Sequence, residues 1–260
     1  MTGADTPPAR SRRRPPPIGR GDALFLDIDG TLVDIAPRPH DVRLDDRLIA
    51  QILSLRHSLD GALALVTGRS ILDVDTLFHP HAFPIAGQHG CERRDASGTV
   101  HIRSPDSSVL ASIRNLFVAF GQRHPGVVVE FKGFSLSLHY REVPRLAGHV
   151  HRTARRLLSE VPDATYELQR GKCLVEIRPG EIDKGTAIAE FLRESPFSGR
   201  RPVFVGDDRG DESGFLAVIR AGGVAIKVGS GTTSAPWRLA NSDAVREWIA
   251  RSAGALEQRT

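Results

Sequence analysis

A chain of 260 residues can bury one or two hydrophobic cores, and 40% apolar with 25% charged residues is an ordinary globular composition. No run approaches the roughly 18 apolar residues of a membrane span, and two distant cysteines, Cys91 and Cys173, make neither a disulfide framework nor a zinc cluster. The net charge of +4 sits in the first 20 residues, where five arginines face one aspartate; the other 240 balance, so no nucleic-acid partner is expected.

The start, rich in Arg and Pro, has no apolar stretch of a signal peptide and reads as a disordered tail over 1–21. With the cysteine usage this points to a reducing cytoplasm, and a monomer is expected. Ala23–Leu26 is a short apolar run ending in Asp27-Ile28-Asp29-Gly30, a buried strand and its turn. Leu48, Ile49, Ile52, Leu53 and Leu55 make a helical stripe over Asp45–Leu59, which Gly61 stops. Ala62–Val66 is a second buried strand ending in Thr67-Gly68-Arg69. A helix through Phe78 and a third strand, Pro84–Ala86, follow, with Gln88, His89 and Gly90 in the loop after it. Strand–helix alternation of this kind indicates a parallel sheet with right-handed crossovers.

The pattern then changes. A hairpin is expected around Ser97-Gly98, a helix over Ser107–Arg123, paired strands over Val127–Lys132 and Ser135–Tyr140, a helix over Pro144–Glu160, and a last hairpin over Tyr166–Gln169 and Cys173–Arg178. Helices grouped with antiparallel strands are α+β, so 106–178 reads as an inserted domain between two core segments, 22–105 and 179–260. The α/β order resumes with a helix at Lys184–Arg193, a strand at Pro202–Val205, a helix at Gly210–Arg220, a strand at Gly223–Val228 and a helix at Asp243–Ala250. The fold class is α/β, a doubly wound parallel sheet with an α+β cap.

In an open parallel sheet, ligands bind beyond the carboxyl ends of the strands. Those ends carry Asp27 and Asp29, Thr67, and Asp207 and Asp208, and Lys184 opens a helix beside them. A single Asp after a strand is often a turn or cap residue, but four carboxylates in one crevice repel unless a cation lies between them. Oxygen ligands beside a phosphate suit Mg²⁺. A carboxylate there can attack phosphorus, which makes Asp27 the candidate nucleophile. A second carboxylate two residues on can protonate the leaving oxygen and then activate water, a role for Asp29. Thr67 and backbone N–H groups can bind the phosphoryl oxygens.

Asp27-Ile28-Asp29-Gly30-Thr31-Leu32 resembles the DxDGT[LV] signature of haloacid-dehalogenase-like (HAD) phosphatases, and Val66–Arg69, Asp183-Lys184-Gly185 and Val205–Asp208 resemble the later motifs of that superfamily. The resemblance implies Asp27, the Asp29 carbonyl and Asp207 on Mg²⁺, with Asp208 and Lys184 orienting nucleophile and phosphate. Asp211 opens a helix, where it either favours the dipole or supports the metal site from behind.

The inserted segment should choose the leaving group. Its Glu, Lys, His and Arg residues with few aromatics suit a polyol such as a sugar, although a solvated sheet face with cross-strand ion pairs has the same spacing. The strings Ala86-Gly87-Gln88-His89-Gly90, Glu130-x-Lys132 through His139-Tyr140-Arg141, Gly171-Lys172 through Glu176-x-Arg178, and Gly206-Asp207-Asp208-x-x-Asp211 are similar to those of the trehalose-6-phosphate phosphatase family, over about residues 22–250. That resemblance implies hydrolysis of trehalose 6-phosphate, with Gln88, His89, Gly90, Glu130, Lys132, His139, Arg141, Lys172, Glu176 and Arg178 toward the disaccharide. The chain departs from the family pattern at Gly210, usually Thr, and at Thr67, often Ser. The alternatives are a phosphatase for another sugar phosphate, or a non-catalytic phosphosugar-binding domain, which commonly lacks the paired carboxylates retained here.

Overall fold

The structure, a computed structural model, describes residues 14–36, 41–103, 108–160 and 165–258. Strand β1 (Asp22–Leu26) is buried along its whole length and sits at the centre of an eight-stranded sheet. Around it lie β2 (Leu63–Val66) and β3 (Ile85–Gly87) on one side and β10 (Arg201–Gly206), β11 (Val224–Val228) and β12 (Trp237–Leu239) on the other. These six strands are parallel. An antiparallel pair, β4 (Glu92–Arg94) and β5 (Val100–Ile102), extends the edge beyond β3. The near-continuous apolar runs follow from helices covering both sheet faces: α1 (Asp46–Ser58), α2 (Ile71–Phe78), α5 (Lys184–Phe191), α6 (Glu212–Arg220) and α7 (Ser242–Glu257).

Between β5 and α5 lies a smaller unit with its own sheet and its own apolar cluster. Antiparallel strands run in the order β6 (Val128–Phe131), β7 (Leu136–His139), β9 (Leu174–Pro179), β8 (Tyr166–Gly171). Helices α3 (Ser108–Arg123) and α4 (Ala147–Ser159) close one face, burying Val175 and Ile177 with Phe117 and Val150. Alternation leaves Leu174 and Glu176 on the other face.

The helix starts obey capping chemistry. Asp45 and Ser70 accept from Leu48 N and Asp73 N at the starts of α1 and α2, and Asp183 and Thr186 form a reciprocal box at α5.

Three features differ from the sequence reading. The part of the tail described, from Arg14 on, packs on the body instead of lying free: Ile18 is buried in the main core, and Trp248 Nε1 donates to Pro16 O at 3.0 Å. Pattern analysis sees Arg and Pro there and misses one apolar residue with a pocket to fill. Arg10, Arg12 and Arg13 lie outside the described residues. Strand β12 has three residues, too few for a periodicity. Helix α7 runs past Ala250 because Ala253 and Leu256 remain on its buried face.

Candidate active site

All six parallel strands point their carboxyl ends to one edge, where the smaller unit overhangs the main sheet. Asp27 follows β1, Thr67 follows β2, Gln88 and His89 follow β3, and Asp207 follows β10. Gly30, at φ +80°, turns the chain after Asp29, and a Cβ there would stand 2.1 Å from Asp207 Oδ2. Glycine thus serves both the turn and the close approach of the two acidic loops.

Asp27, Asp207 and Asp211 are buried and bring carboxylate oxygens within 4.8 Å of one another. Lys184, carried in by the first turn of α5, donates to Asp27 Oδ1 at 2.8 Å and to Asp211 Oδ1 at 2.6 Å. Thr31 Oγ1 donates to the other Asp27 oxygen at 3.1 Å. Asp211 Oδ2 accepts from the backbone of Asp207 and Asp208 at 2.8 and 2.9 Å. Both Asp211 oxygens are therefore engaged, one with Lys184 and one with the loop backbone; of the three grouped carboxylates, Asp27 and Asp207 line the crevice.

Burial, then the neighbouring carboxylates of Asp211 and Asp207, hold the Asp27 carboxyl well above its ordinary range despite Lys184. Burial with Asp208 and Asp211 pushes Asp207 up to about 6. Burial alone would lower the Lys184 ammonium, but Asp211, Asp27 and Asp208 outweigh it and hold it well above its usual value. Lys184 from below, Lys172 from the turn above and Lys227 beside the loop face the four carboxylates of Asp27, Asp207, Asp208 and Asp211, which still leaves a surplus of negative charge in a buried place, as a cation site requires.

Asp29 is turned away from this cluster. Arg69 Nε and Nη2 bind its two oxygens at 2.6 and 2.7 Å. The Asp29 side chain is therefore not among the grouped carboxylates; its expected metal contact is through the backbone carbonyl.

The crevice is lined by Asp27, Asp29, Thr67, His89, Lys184, Asp207 and Asp208 from below and by Glu130, Lys132, His139, Arg141 and Glu176 from above. Glu176 is the hub of the upper side. It accepts from Ser135 Oγ at 2.8 Å, Ser137 Oγ at 3.1 Å and Lys132 Nζ at 3.3 Å, and pairs with His89 Nε2 at 2.9 Å. Burial alone would raise its pKa; Lys132 and His89 outweigh that and hold it well below the usual carboxylate range. Glu130 pairs with His139 at 2.8 Å.

Five expected residues do not line the crevice. Gln88 binds Glu92 and the Phe134 backbone, so it joins the two units. Gly90 packs beside α5, where a Cβ would meet the Asp183 carbonyl at 3.1 Å. Arg178 donates to Ile182 O at 2.7 Å and Glu167 at 2.6 Å, a structural tie. Lys172, on the exposed turn between β8 and β9, borders an adjoining cleft with Arg170, Arg209 and Lys227 and reaches Asp207 Oδ2 at 2.5 Å. Asp211 lies behind the crevice, with its Oδ2 on the backbone of Asp207 and Asp208.

Arg69, Gln169 and an apolar wall of Ile35, Ala36 and Val42 also line the crevice and were not singled out from the sequence. Arg69 stood inside a quoted motif; Gln169 and the wall carry no local signal.

The trehalose-phosphatase family model matches residues 25–243. The chain belongs to the trehalose-phosphatase family. Trehalose-6-phosphate phosphatase of Escherichia coli is 42% identical over 244 residues, 94% of this chain and 91% of that protein. Among solved structures, a trehalose-6-phosphate phosphatase related protein is 25% identical with a TM-score of 0.72, over 91% of this chain and 99% of that one. The C-terminal domain of Candida albicans trehalose-6-phosphate phosphatase matches in fold with a TM-score of 0.78 at 22% identity, over 94% of this chain and 99% of that one. This trehalose-phosphatase family member is a phosphatase with the HAD-like fold.

Proposed function

We propose that the chain hydrolyses trehalose 6-phosphate to trehalose and phosphate through an aspartyl phosphate on Asp27. The observation that carries this reading is the stacking of two polar layers. Asp27, Lys184 and Asp207 form the lower one, and the Glu130, Lys132, His139 and Glu176 face of a separate sheet forms the upper one.

A buried oxygen-donor set with surplus negative charge fits Mg²⁺. Asp27, Asp207 and the Asp29 carbonyl would hold it. When bound, the ion offsets the repulsion between a phosphate dianion and the Asp27 carboxylate.

The Asp27 carboxylate forms a bond to phosphorus as the bond from phosphorus to the sugar oxygen breaks. Asp29 gives a proton to that oxygen. Its carboxyl is now clamped by Arg69, so proton delivery requires this pair to part as the ester enters. Water then attacks phosphorus, Asp29 takes its proton, and the Asp27 carboxylate is regenerated. Lys184 holds Asp27 in place throughout and binds a phosphoryl oxygen, and Thr67 binds another.

Residues 106–178 act in this reading as the cap that selects the sugar, with Glu130, Lys132, His139, Arg141 and Glu176 offering the donors and acceptors a polyol needs. The two free thiols, Cys91 and Cys173, fit a reducing cytoplasm; among the described residues no helix is long and apolar enough to cross a membrane. The test is inorganic phosphate release from trehalose 6-phosphate. Release that stops with EDTA and returns with Mg²⁺ is expected. No release, or release indifferent to EDTA, would overturn the reading.

A further inference from the structure

The register of the upper sheet puts four polar side chains in one row. Glu130 stands opposite Ser137, Ser137 opposite Glu176, and Glu176 opposite Gln169. Directly opposed residues share a face, so Gln169 is the last member of the row that faces the crevice, and it does line it. The other three are engaged: Glu130 with His139, Ser137 with Glu176, and Glu176 also with His89. The Gln169 side chain makes no hydrogen bond among the described residues, although it carries two donors and an acceptor.

Its position depends on a missing atom in the opposite unit. A Cβ on Gly210 would stand 2.6 Å from Gln169 Nε2. Gly210 has no positive φ, so the backbone does not demand glycine there. What glycine supplies is the space that the amide occupies, next to Asp208, whose Oδ1 accepts from Gly210 N at 2.7 Å. Gln169 thus reaches the acidic loop from the upper sheet, its amide against Gly210.

Building on the reading of the site as a trehalose 6-phosphate phosphatase, we propose that Gln169 is a specificity-determining residue. It hydrogen-bonds a hydroxyl of the phosphorylated sugar ring, and Gly210 leaves room for it to do so. An unpaired carboxamide that both donates and accepts suits a sugar hydroxyl, which does the same. A phosphate with no sugar attached would leave it idle.

The test compares trehalose 6-phosphate with p-nitrophenyl phosphate in Mg²⁺-loaded enzyme. Wild-type activity on the sugar ester is the control that separates the two readings: its absence would overturn the substrate reading and, with it, the assignment of Gln169 to that sugar. With that activity present, Gln169→Ala should raise KM for trehalose 6-phosphate about five- to tenfold, the loss of one neutral hydrogen bond, and leave the aryl ester within twofold. Gly210→Ala should lower the ratio of sugar to aryl kcat/KM by a similar factor, and Gly210→Ala with Gln169→Ala should lower it no further than Gln169→Ala alone. Equal effects of Gln169→Ala on both esters, or none on either, would overturn the assignment to the sugar. Losses that multiply in the double variant would overturn the link to Gly210.

Discussion

Asp27 is a carboxylate placed where a carboxylate is unstable. Burial and two acidic neighbours raise its pKa, while Lys184 and Thr31 hold its oxygens in position. That conflict fits the proposed roles of Asp27, metal ligand and nucleophile. Asp27→Asn retains the shape and removes the carboxylate proposed as the nucleophile. We expect kcat on trehalose 6-phosphate to fall by at least about 10³-fold, with an unchanged circular dichroism spectrum. Activity above a few per cent of wild type would assign the attack to another group. Glu176 shows the opposite pattern at similar burial: its neighbours are cationic or hydroxyl donors, so its charge is held firmly.

At the scale of elements, the Glu176 pairings tie the two sheets together. His89 comes from the loop after β3, and Lys132, Ser135 and Ser137 come from the β6–β7 hairpin. Glu176→Ala leaves Lys132 buried without its main counter-charge. The expected cost is about 3–5 kcal/mol, read by thermal unfolding, together with a larger rise in KM for the sugar ester than for an aryl phosphate. The pH dependence has a definite sign. A carboxyl whose folded pKa lies below its unfolded value of 4.5 stabilises the fold fully above that value. The contribution is lost as pH falls below it. Wild-type stability should therefore drop on acidification below about pH 4.5, and Glu176→Gln should show a shallower drop; parallel profiles would remove Glu176 from the account.

The whole molecule depends on segments far apart in sequence. Residues near the start of the described chain are held by the last helix, through Ile18 in the main core and the bond from Trp248 to Pro16. Arg20 Nη2 also donates to Leu256 O at 3.2 Å. This closes the side of the sheet where α1 and α7 pack together. Ile18→Ala should cost about 2–5 kcal/mol, as for other buried aliphatic truncations. Denaturant unfolding would measure it, and a change under 0.5 kcal/mol on the scale of surface substitutions would mean that the segment merely rests on the body.

The parallel core and most of the lower site were legible in the chain alone. Apolar runs of four or five residues ending in Asp27, Thr67 and Asp207 specify strands whose ends must meet, because one sheet with one connection handedness offers them a single edge. The order of those acidic and hydroxyl residues carries the phosphoryl chemistry wherever the sheet forms. In the smaller unit, the motif strings named Glu130, Lys132, His139, Arg141 and Glu176, which do line the crevice; which further side chains join them is a matter of strand register and loop packing that no local pattern encodes. Gln169 is in the row because it pairs across from Glu176; of the residues expected toward the sugar, Lys172 sits on a turn and reaches Asp207 from there, and Arg178 is drawn to Ile182 and Glu167. The same holds for Arg69 on Asp29 and for Ile18 in its pocket: the residue type permits the contact, but only the assembled chain supplies the partner.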